Sequence, residues 1–283
     1  MNTITTSVAA ESGHATVAPS APVSVEAVMH QFFTPRRMPA AVWPAEDQPV
    51  TLTVSAPADW PDGRTIEVVC HRMGTGPAVL LVHGWQSQAA DLKGLAKALL
   101  AQGYSVWAPD LPGHGHSAGR MLSIPLAAQT LCEIEHLAGP FHAAVGHSIG
   151  AACVVQGLVQ GLATPRVVLI ATPTHYGQHV RLMADDLGLP AAQWPALLAR
   201  MEQVTGVTPD AIDMQQQARQ LTQRACLIHA LDDAIVPLQP ALRVAEHWAG
   251  AQWHGLQGLG HFDIVADAQV HQLVLQALAA PAP

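Results

Sequence analysis

Short apolar segments alternate with segments of helical periodicity along most of this 283-residue chain, and that alternation constrains the fold more than any other feature. Residues 78–82 form a continuous apolar run, which is typical of a strand buried on both faces of a sheet. A helical pattern at 91–102 follows it. Strands joined by helices in this way run parallel, so we predict an α/β protein with a doubly wound, mostly parallel sheet. The predicted strands are 50–55, 65–72, 78–82, 104–108, 142–146, 166–171, 225–230 and 251–256.

The alternation is interrupted once, between residues 173 and 224, where several helical stretches occur without a convincing strand. An insertion of this kind in a doubly wound sheet predicts a helical cap over the carboxyl edge of the strands. The core is then predicted to comprise 46–172 and 225–283. Residues 1–45 are predicted to be a disordered or weakly ordered leader, with a short amphipathic piece near 25–33, because the first part is small, polar and aperiodic.

Composition limits the classes of partner and the compartment. Charged residues make up 12% of the chain and the net charge is -8, with no Lys/Arg cluster, which argues against nucleic acid as a partner. No apolar run approaches the roughly 18 residues of a membrane span. The chain starts without the basic and apolar regions of a secretory signal, and its four cysteines form no C-x-x-C pair, so a cytoplasmic location is expected. No feature specifies an oligomeric state.

Residues 146–150 read Gly146-His147-Ser148-Ile149-Gly150 and lie between a predicted strand and a predicted helix. In that context the pattern Gly-x-Ser-x-Gly is typical of a tight turn that exposes the serine hydroxyl at the helix N-terminus, where developing negative charge is favoured. The alternative is an ordinary turn whose serine caps the helix. Ser148 is the candidate nucleophile.

A serine hydroxyl needs a base to remove its proton, and a carboxylate to orient that base. The chain has 16 histidines, so only position can identify the base. His261 follows the last predicted strand in a glycine-bearing loop, and it completes the chain order nucleophile, acid, base. Asp232 and Asp233 follow the preceding strand directly, and both qualify as the acid.

Two backbone amides are candidates for stabilising an oxyanion. Trp85 follows the strand 78–82, and Ile149 follows Ser148, so both N–H groups are predicted to point toward a bound carbonyl oxygen. His83, Gly84 and His147 lie beside these residues in the sequence, and we predict that they contact the substrate.

These motifs together resemble those of the α/β-hydrolase family. The segment His83-Gly84-Trp85, the Gly/Pro-rich loop 110–117, the turn 146–150, the segment 233–237 and Gly260-His261 appear in the family's order. The resemblance implies an eight-stranded sheet and a Ser-His-Asp mechanism without a cofactor. It favours Asp233 over Asp232, because the family's acid is followed by two variable residues and then Val-Pro. It implies no particular substrate, since the fold serves many.

The expected function is hydrolysis of a small to medium, hydrophobic carboxylic ester through an acyl-enzyme, because the predicted cap is apolar and carries few charges. Two alternatives remain open: an acyltransferase or thioesterase that uses the same residues, and a non-catalytic binding protein. His175 and His179 have the i, i+4 spacing of metal ligands, but no third ligand is evident, so no metal site is predicted.

Overall fold

The computed structural model describes residues 23–44 and 46–279, and within them eight strands form one sheet. The strands are β1 (Val50–Ser55), β2 (Thr65–Met73), β3 (Ala78–Val82), β4 (Ser105–Pro109), β5 (Ala143–His147), β6 (Arg166–Ile170), β7 (Arg224–Ala230) and β8 (Gln252–Leu256). They lie in the order β1-β2-β4-β3-β5-β6-β7-β8. β2 runs antiparallel to both of its neighbours, and the remaining pairs are parallel. The predicted eight-stranded, mostly parallel sheet is confirmed.

Helices pack on both faces of this sheet, because successive side chains of a strand point to opposite faces. In β3, Leu80 and Val82 belong to one buried apolar cluster, whereas Val79 and Leu81 belong to the other. Helices α3 (Ile124–Ala138), α4 (Ile149–Gln160) and α8 (Leu238–His247) contribute to the first cluster, and α2 (Lys93–Ala101) and α9 (Ala268–Ala279) to the second. No helix of the described residues combines the length and the apolar character that crossing a bilayer requires.

The N-terminal segment 23–44 differs from the weakly ordered leader that the sequence predicts. Helix α1 (Val25–Phe33) begins after Ser24, whose hydroxyl accepts the N–H of Ala27 at 3.2 Å. Val28 and Phe33 are fully buried, and the helix coincides with the short amphipathic piece expected near 25–33. Its partners lie far along the chain: the carbonyl of Phe33 accepts the N–H of Leu122 at 2.8 Å. The rest of the predicted leader, residues 1–22 and 45, lies outside the described residues.

Residues 173–224, all of which the structure describes, carry helices α5 (Tyr176–Asp186), α6 (Trp194–Thr205) and α7 (Met214–Ala218) between β6 and β7. Residues 173–223 contribute no strand to the sheet, although an isolated bridge pairs His175 with Asp213, and Arg224 is already the first residue of β7. Leu197 and Met201 of α6 are fully buried, and α1 packs against both α5 and α6. The N-terminal helix therefore lies on this helical segment.

Candidate active site

Ser148 lies at the tight turn between β5 and α4, with backbone angles φ 53 and ψ -126. A positive φ is unusual for a residue with a side chain and marks local strain. The neighbouring glycines permit the turn. A Cβ at Gly146 would lie 2.5 Å from Cα of Ala151, and one at Gly150 would collide with the carbonyl oxygens of Val82 and His83. The turn therefore requires residues without a side chain at positions 146 and 150.

The structure brings His261 and Asp233 to Ser148, at the edge where parallel strands β5, β7 and β8 end. Oγ of Ser148 lies 3.0 Å from Nε2 of His261, and Nδ1 of His261 lies 2.8 Å from Oδ2 of Asp233. The acceptor carboxylate requires the proton on Nδ1, so Nε2 is left as the acceptor for the serine hydroxyl. The imidazole thus joins the hydroxyl to the carboxylate.

Asp233 is held as a carboxylate by donors on its far side. Its Oδ1 accepts the main-chain N–H groups of Ile235 and Val236, each at 2.8 Å, and its side chain is fully buried. Burial by itself would raise the pKa of Asp233. The hydrogen bonds from Val236, His261 and Ile235 outweigh that effect and lower the pKa below its ordinary value. The group is therefore charged near neutral pH.

Asp232 does not reach the imidazole and has a different set of partners. It is exposed, and its Oδ1 accepts the N–H groups of Gly258 at 3.1 Å and Gly260 at 3.4 Å. These glycines belong to the loop that carries His261. The two adjacent carboxylates thus have different partners. Asp233 contacts the imidazole of His261, and Asp232 contacts the main chain of the loop that carries His261.

His147 has a contact that sequence reasoning did not find. Its Nε2 donates to the main-chain carbonyl oxygen of His261, with an N···O distance of 3.0 Å. Burial, together with nearby His261, lowers the pKa of His147 to about 4, so the ring is neutral near pH 7. His147 also lines the cavity above Ser148.

The residues of the two predicted oxyanion donors, Trp85 and Ile149, line the same cavity as Ser148. Ile149 opens helix α4, and the first N–H groups of a helix have no acceptor within it. Among the hydrogen bonds of the described residues, none uses the N–H of Trp85 as a donor. The next residue, Gln86, has a φ of 55 and donates its N–H to Nε2 of His114 at 3.2 Å. Gly84 leaves room here, since a Cβ on it would lie 3.2 Å from Cβ of Ser148.

The structure does not support the predicted contact between His83 and a substrate. His83 is fully buried and is not among the residues that line the cavity. Its Nδ1 donates to the carbonyl of Gly84 at 2.8 Å, and its Nε2 accepts the N–H of Leu111 at 3.0 Å. Both ring nitrogens are thus used within the protein, and the imidazole shapes the loop that carries Trp85. The sequence does not reveal this, because it does not show which way a side chain at a strand end points.

A cavity of about 680 Å³ opens above Ser148 and His261. Its wall includes apolar side chains from the segment between β6 and β7, namely Leu182, Met183, Ile212 and Met214. The lining also includes Ile235, Val236 and Phe262. Volumes of this size are typical of sites for small molecules.

One group of side chains in the described part of the chain has the spacing of metal ligands. Nitrogen and oxygen atoms of His71, Asp110 and His116 lie within 4.8 Å of one another. The Asp110 carboxylate already accepts the N–H groups of Ala89 at 2.8 Å and His116 at 2.7 Å, and Nδ1 of His71 lies 2.6 Å from Asp47. Burial would raise the pKa of Asp110, but His71 and these N–H donors outweigh it and hold the pKa well below the usual range. The charged carboxylate fixes the 110–117 loop to the loop after β3.

The sequence is similar to a known protein family and to individual proteins. Residues 79–274 match the model described as the alpha/beta hydrolase family. A similar curated protein is the magnesium-chelatase 30 kDa subunit of Rhodobacter capsulatus, 33% identical over 138 residues that cover 47% of this chain and 45% of that protein. Another is a pimeloyl-[acyl-carrier protein] methyl ester esterase of Stenotrophomonas maltophilia, 33% identical over 130 residues that cover 41% of this chain and 49% of that protein. The chain therefore spans about half the length of these curated relatives.

Solved structures agree with the fold. An esterase from Exiguobacterium antarcticum superposes with a TM-score of 0.63 at 14% sequence identity, covering 82% of this chain and all of that one (100%). A thermophilic esterase from Thermogutta terrifontis gives a TM-score of 0.60 at 18% identity, with 82% and 100% of the two chains covered. At such identities the likeness concerns the fold alone.

Proposed function

The chain belongs to the alpha/beta hydrolase family, and from that premise we propose that it is a serine hydrolase that cleaves carboxylic esters. The observation that carries the proposal is the position of His261, whose ring nitrogens lie 3.0 Å from the Ser148 hydroxyl and 2.8 Å from the Asp233 carboxylate. An imidazole held in this way can take a proton from the serine and return it to a leaving group. The relative described as a methyl ester esterase is in keeping with ester hydrolysis.

In the proposed reaction, Oγ of Ser148 attacks the ester carbonyl carbon while Nε2 of His261 takes the hydroxyl proton. The tetrahedral intermediate collapses, the bond to the alcohol oxygen breaks, and His261 returns the proton to that oxygen. Water then attacks the acyl-enzyme in the same manner, and the acid and the free serine are released. Asp233 stabilises the imidazolium, and its charge is maintained by the N–H donors of Ile235 and Val236.

We assign the oxyanion site to the N–H groups of Trp85 and Ile149. Both donors are main-chain groups, and donors whose positions the fold sets need no reorganisation when negative charge develops on the carbonyl oxygen. Gly84 contributes by leaving room between Trp85 and Ser148. Loss of one such donor reduces kcat by about 100-fold to 1,000-fold in acyl-transfer enzymes.

The segment 173–224 is proposed to be a cap over residues 46–172 and 225–279, because its side chains line the cavity above Ser148. Leu182, Met183 and Met214 make that lining apolar, which supports a small to medium, hydrophobic ester as substrate. The four cysteines are free thiols, three of them buried, which is in keeping with the reducing cytoplasm as the proposed location.

A fluorophosphonate probe followed by peptide mapping tests the assignment. We expect the label on Ser148 in the wild-type protein and no label in the Ser148→Ala variant, with Ser55→Ala, an exposed serine of β1, as the control. A panel of p-nitrophenyl esters and matched thioesters, with and without an acceptor alcohol, then separates an esterase from a thioesterase or acyltransferase. Wild-type turnover by Ser148→Ala contradicts the nucleophile assignment.

A further inference from the structure

Four residues of the N-terminal segment line the same cavity as Ser148 and His261. They are Gln31 and Phe32 of α1, and Arg36 and Met38 just after it. All four precede residues 79–274, the part of the chain that matches the family model. This wall of the cavity therefore lies outside the part of the chain that matches the family model.

The wall is fixed to the core through Arg37. Its guanidinium donates to the carbonyl oxygens of Gly115 at 3.1 Å, Ser117 at 2.8 Å and Gly119 at 2.8 Å. Arginine presents several donors in a rigid fork, so three such bonds hold the backbone in one position. The neighbouring residues 36 and 38 are therefore held at the cavity rather than left free to move.

Two further contacts hold the same segment. Nε2 of Gln88 donates to the carbonyl of Pro39 at 3.1 Å, and its Oε1 accepts the N–H of Ala41 at 2.8 Å. On the other side, Glu26 of α1 pairs with Arg200 of α6 at 2.8 Å. The segment thus joins the core to the helices between β6 and β7, and both ends of the wall are anchored.

Two charged side chains of opposite sign line the cavity, and they differ in their partners. Among its described lining residues, Arg36 is the only lysine or arginine, and Asp91 is the only carboxylate. Asp91 is occupied by the Ser87 hydroxyl at 2.7 Å and the N–H of Gln88 at 3.1 Å. The polar contact of Arg36 within the described residues is with Sδ of Met38 at 4.0 Å, and a thioether is a weak acceptor. The Arg36 side chain is exposed, so it lies at the open side of the cavity.

We propose that Arg36 forms an anion subsite and that the preferred substrate is an ester whose apolar part ends in a carboxylate. The ester part of this inference rests on the proposed function, whereas the anion subsite can be tested without it. A guanidinium recognises a carboxylate through two parallel hydrogen bonds, while the apolar wall accepts the chain between the two ends. The net charge of -8 gives the protein no general attraction for anions, so the selection must come from this local group.

The first test compares kcat/KM for two p-nitrophenyl esters of equal chain length, the neutral hexanoate and the mono-ester of adipate. We expect kcat/KM for the adipate mono-ester, divided by kcat/KM for the hexanoate ester, to be about fivefold higher in the wild-type protein than in the Arg36→Gln variant. That factor is the size expected of an ion pair at an exposed rim. The difference should reside in KM and shrink with added salt. Arg64→Gln, at an exposed position outside the cavity lining, should keep the wild-type ratio. An unchanged ratio in Arg36→Gln overturns the subsite.

A second measurement does not depend on turnover. Monomethyl adipate, which keeps one carboxylate, should raise the unfolding temperature of the Ser148→Ala protein more than neutral methyl hexanoate does, and adding Arg36→Gln should remove the difference, because a ligand that binds only the native state stabilises it. If the difference persists in the double variant, the subsite is wrong. If neither p-nitrophenyl ester is cleaved but stabilisation by monomethyl adipate depends on Arg36, ester hydrolysis fails as the function and the anion subsite stands.

Discussion

His147 donates a hydrogen bond from Nε2 to the main-chain carbonyl oxygen of His261 at 3.0 Å, so the residue before the proposed nucleophile also holds the loop of the proposed base. The contact joins the end of β5 to the loop after β8. Both segments must keep their relative position for the serine and the imidazole to remain 3.0 Å apart. His147 is therefore a positioning residue.

Replacing His147 by leucine should lower kcat about tenfold and change KM little, because small displacements of a general base are costly while the substrate wall is kept. His147→Gln retains an N–H donor of similar reach and should recover most of kcat. Steady-state kinetics on one p-nitrophenyl ester provide the measurement. Equal losses in the two variants would show that the hydrogen bond to His261 has no positioning role.

The carboxylates at 232 and 233 should differ sharply in their effect on catalysis. Asp233→Asn keeps the shape but removes the charge that fixes the imidazole tautomer, so we expect kcat to fall by about 1,000-fold or more. Asp232→Asn keeps the oxygen that accepts the N–H groups of Gly258 and Gly260, and it should retain most of the wild-type activity. The pair is measured under one set of conditions, and the reverse order of effects would exchange the two roles.

Local patterns in the sequence predicted the sheet and the residues at its carboxyl edge. The apolar run of β3 and the turn around Ser148 are short-range signals, since periodicity and glycine spacing are visible within a few residues. Parallel strands end at one edge, so Asp233 and His261 were expected near Ser148 once the strands were placed. Choosing Asp233 over Asp232 required the resemblance to the family, because both residues follow β7 directly.

What the sequence did not reveal depends on contacts between distant segments. Phe33 packs beside a loop near Leu122, and Glu26 pairs with Arg200, so the order of the N-terminal segment is decided far from it. His83 was expected to contact the substrate, yet both nitrogens of its imidazole form hydrogen bonds with the main chain of Gly84 and Leu111. The direction in which a side chain points, and the distant residue that it contacts, leave no periodic pattern in the sequence. They are visible only in the folded structure.

His114 should make the stability of the protein depend on pH. Burial, together with the nearby His83, lowers the pKa of this imidazole from the ordinary 6.5 to about 3. Between these pH values, His114 is protonated in the unfolded chain but not in the folded protein. The free energy of unfolding therefore falls as the pH drops from 6.5 toward 3. His114 is neutral when folded, with Nδ1 donating to the carbonyl of Pro112 at 3.0 Å and Nε2 accepting from Gln86.

His114→Gln keeps an acceptor for the Gln86 N–H and removes the titrating group, so it should flatten this dependence by up to about 1.4 kcal/mol per pH unit. Urea unfolding at several pH values between about 4 and 7 measures the slope, since each group contributes in proportion to the protons it binds. The exposed histidine His136 provides the control, and His136→Gln should keep the wild-type slope. Parallel curves for the wild-type and His114→Gln proteins would contradict the prediction.

The backbone of Ser148 should be a measurable source of strain. At φ 53 and ψ -126, any side chain is disfavoured, at a cost of about 1–3 kcal/mol, and glycine alone is free of it. Glycine also lowers the free energy of unfolding by about 0.5–1 kcal/mol relative to alanine, because it increases the entropy of the unfolded chain. We therefore expect Ser148→Gly to be more stable than Ser148→Ala by about 1 kcal/mol, while both lack the nucleophile and are inactive.

Ser55 offers the matched comparison, since it ends strand β1 in extended backbone and is exposed. There the order should reverse, with Ser55→Gly less stable than Ser55→Ala by about 0.5–1 kcal/mol. Urea unfolding of the four variants in one buffer gives both differences. If glycine is the less stable substitution at both positions, the turn at Ser148 stores no strain, and the hydroxyl is positioned by its hydrogen bond to His261 without help from the backbone.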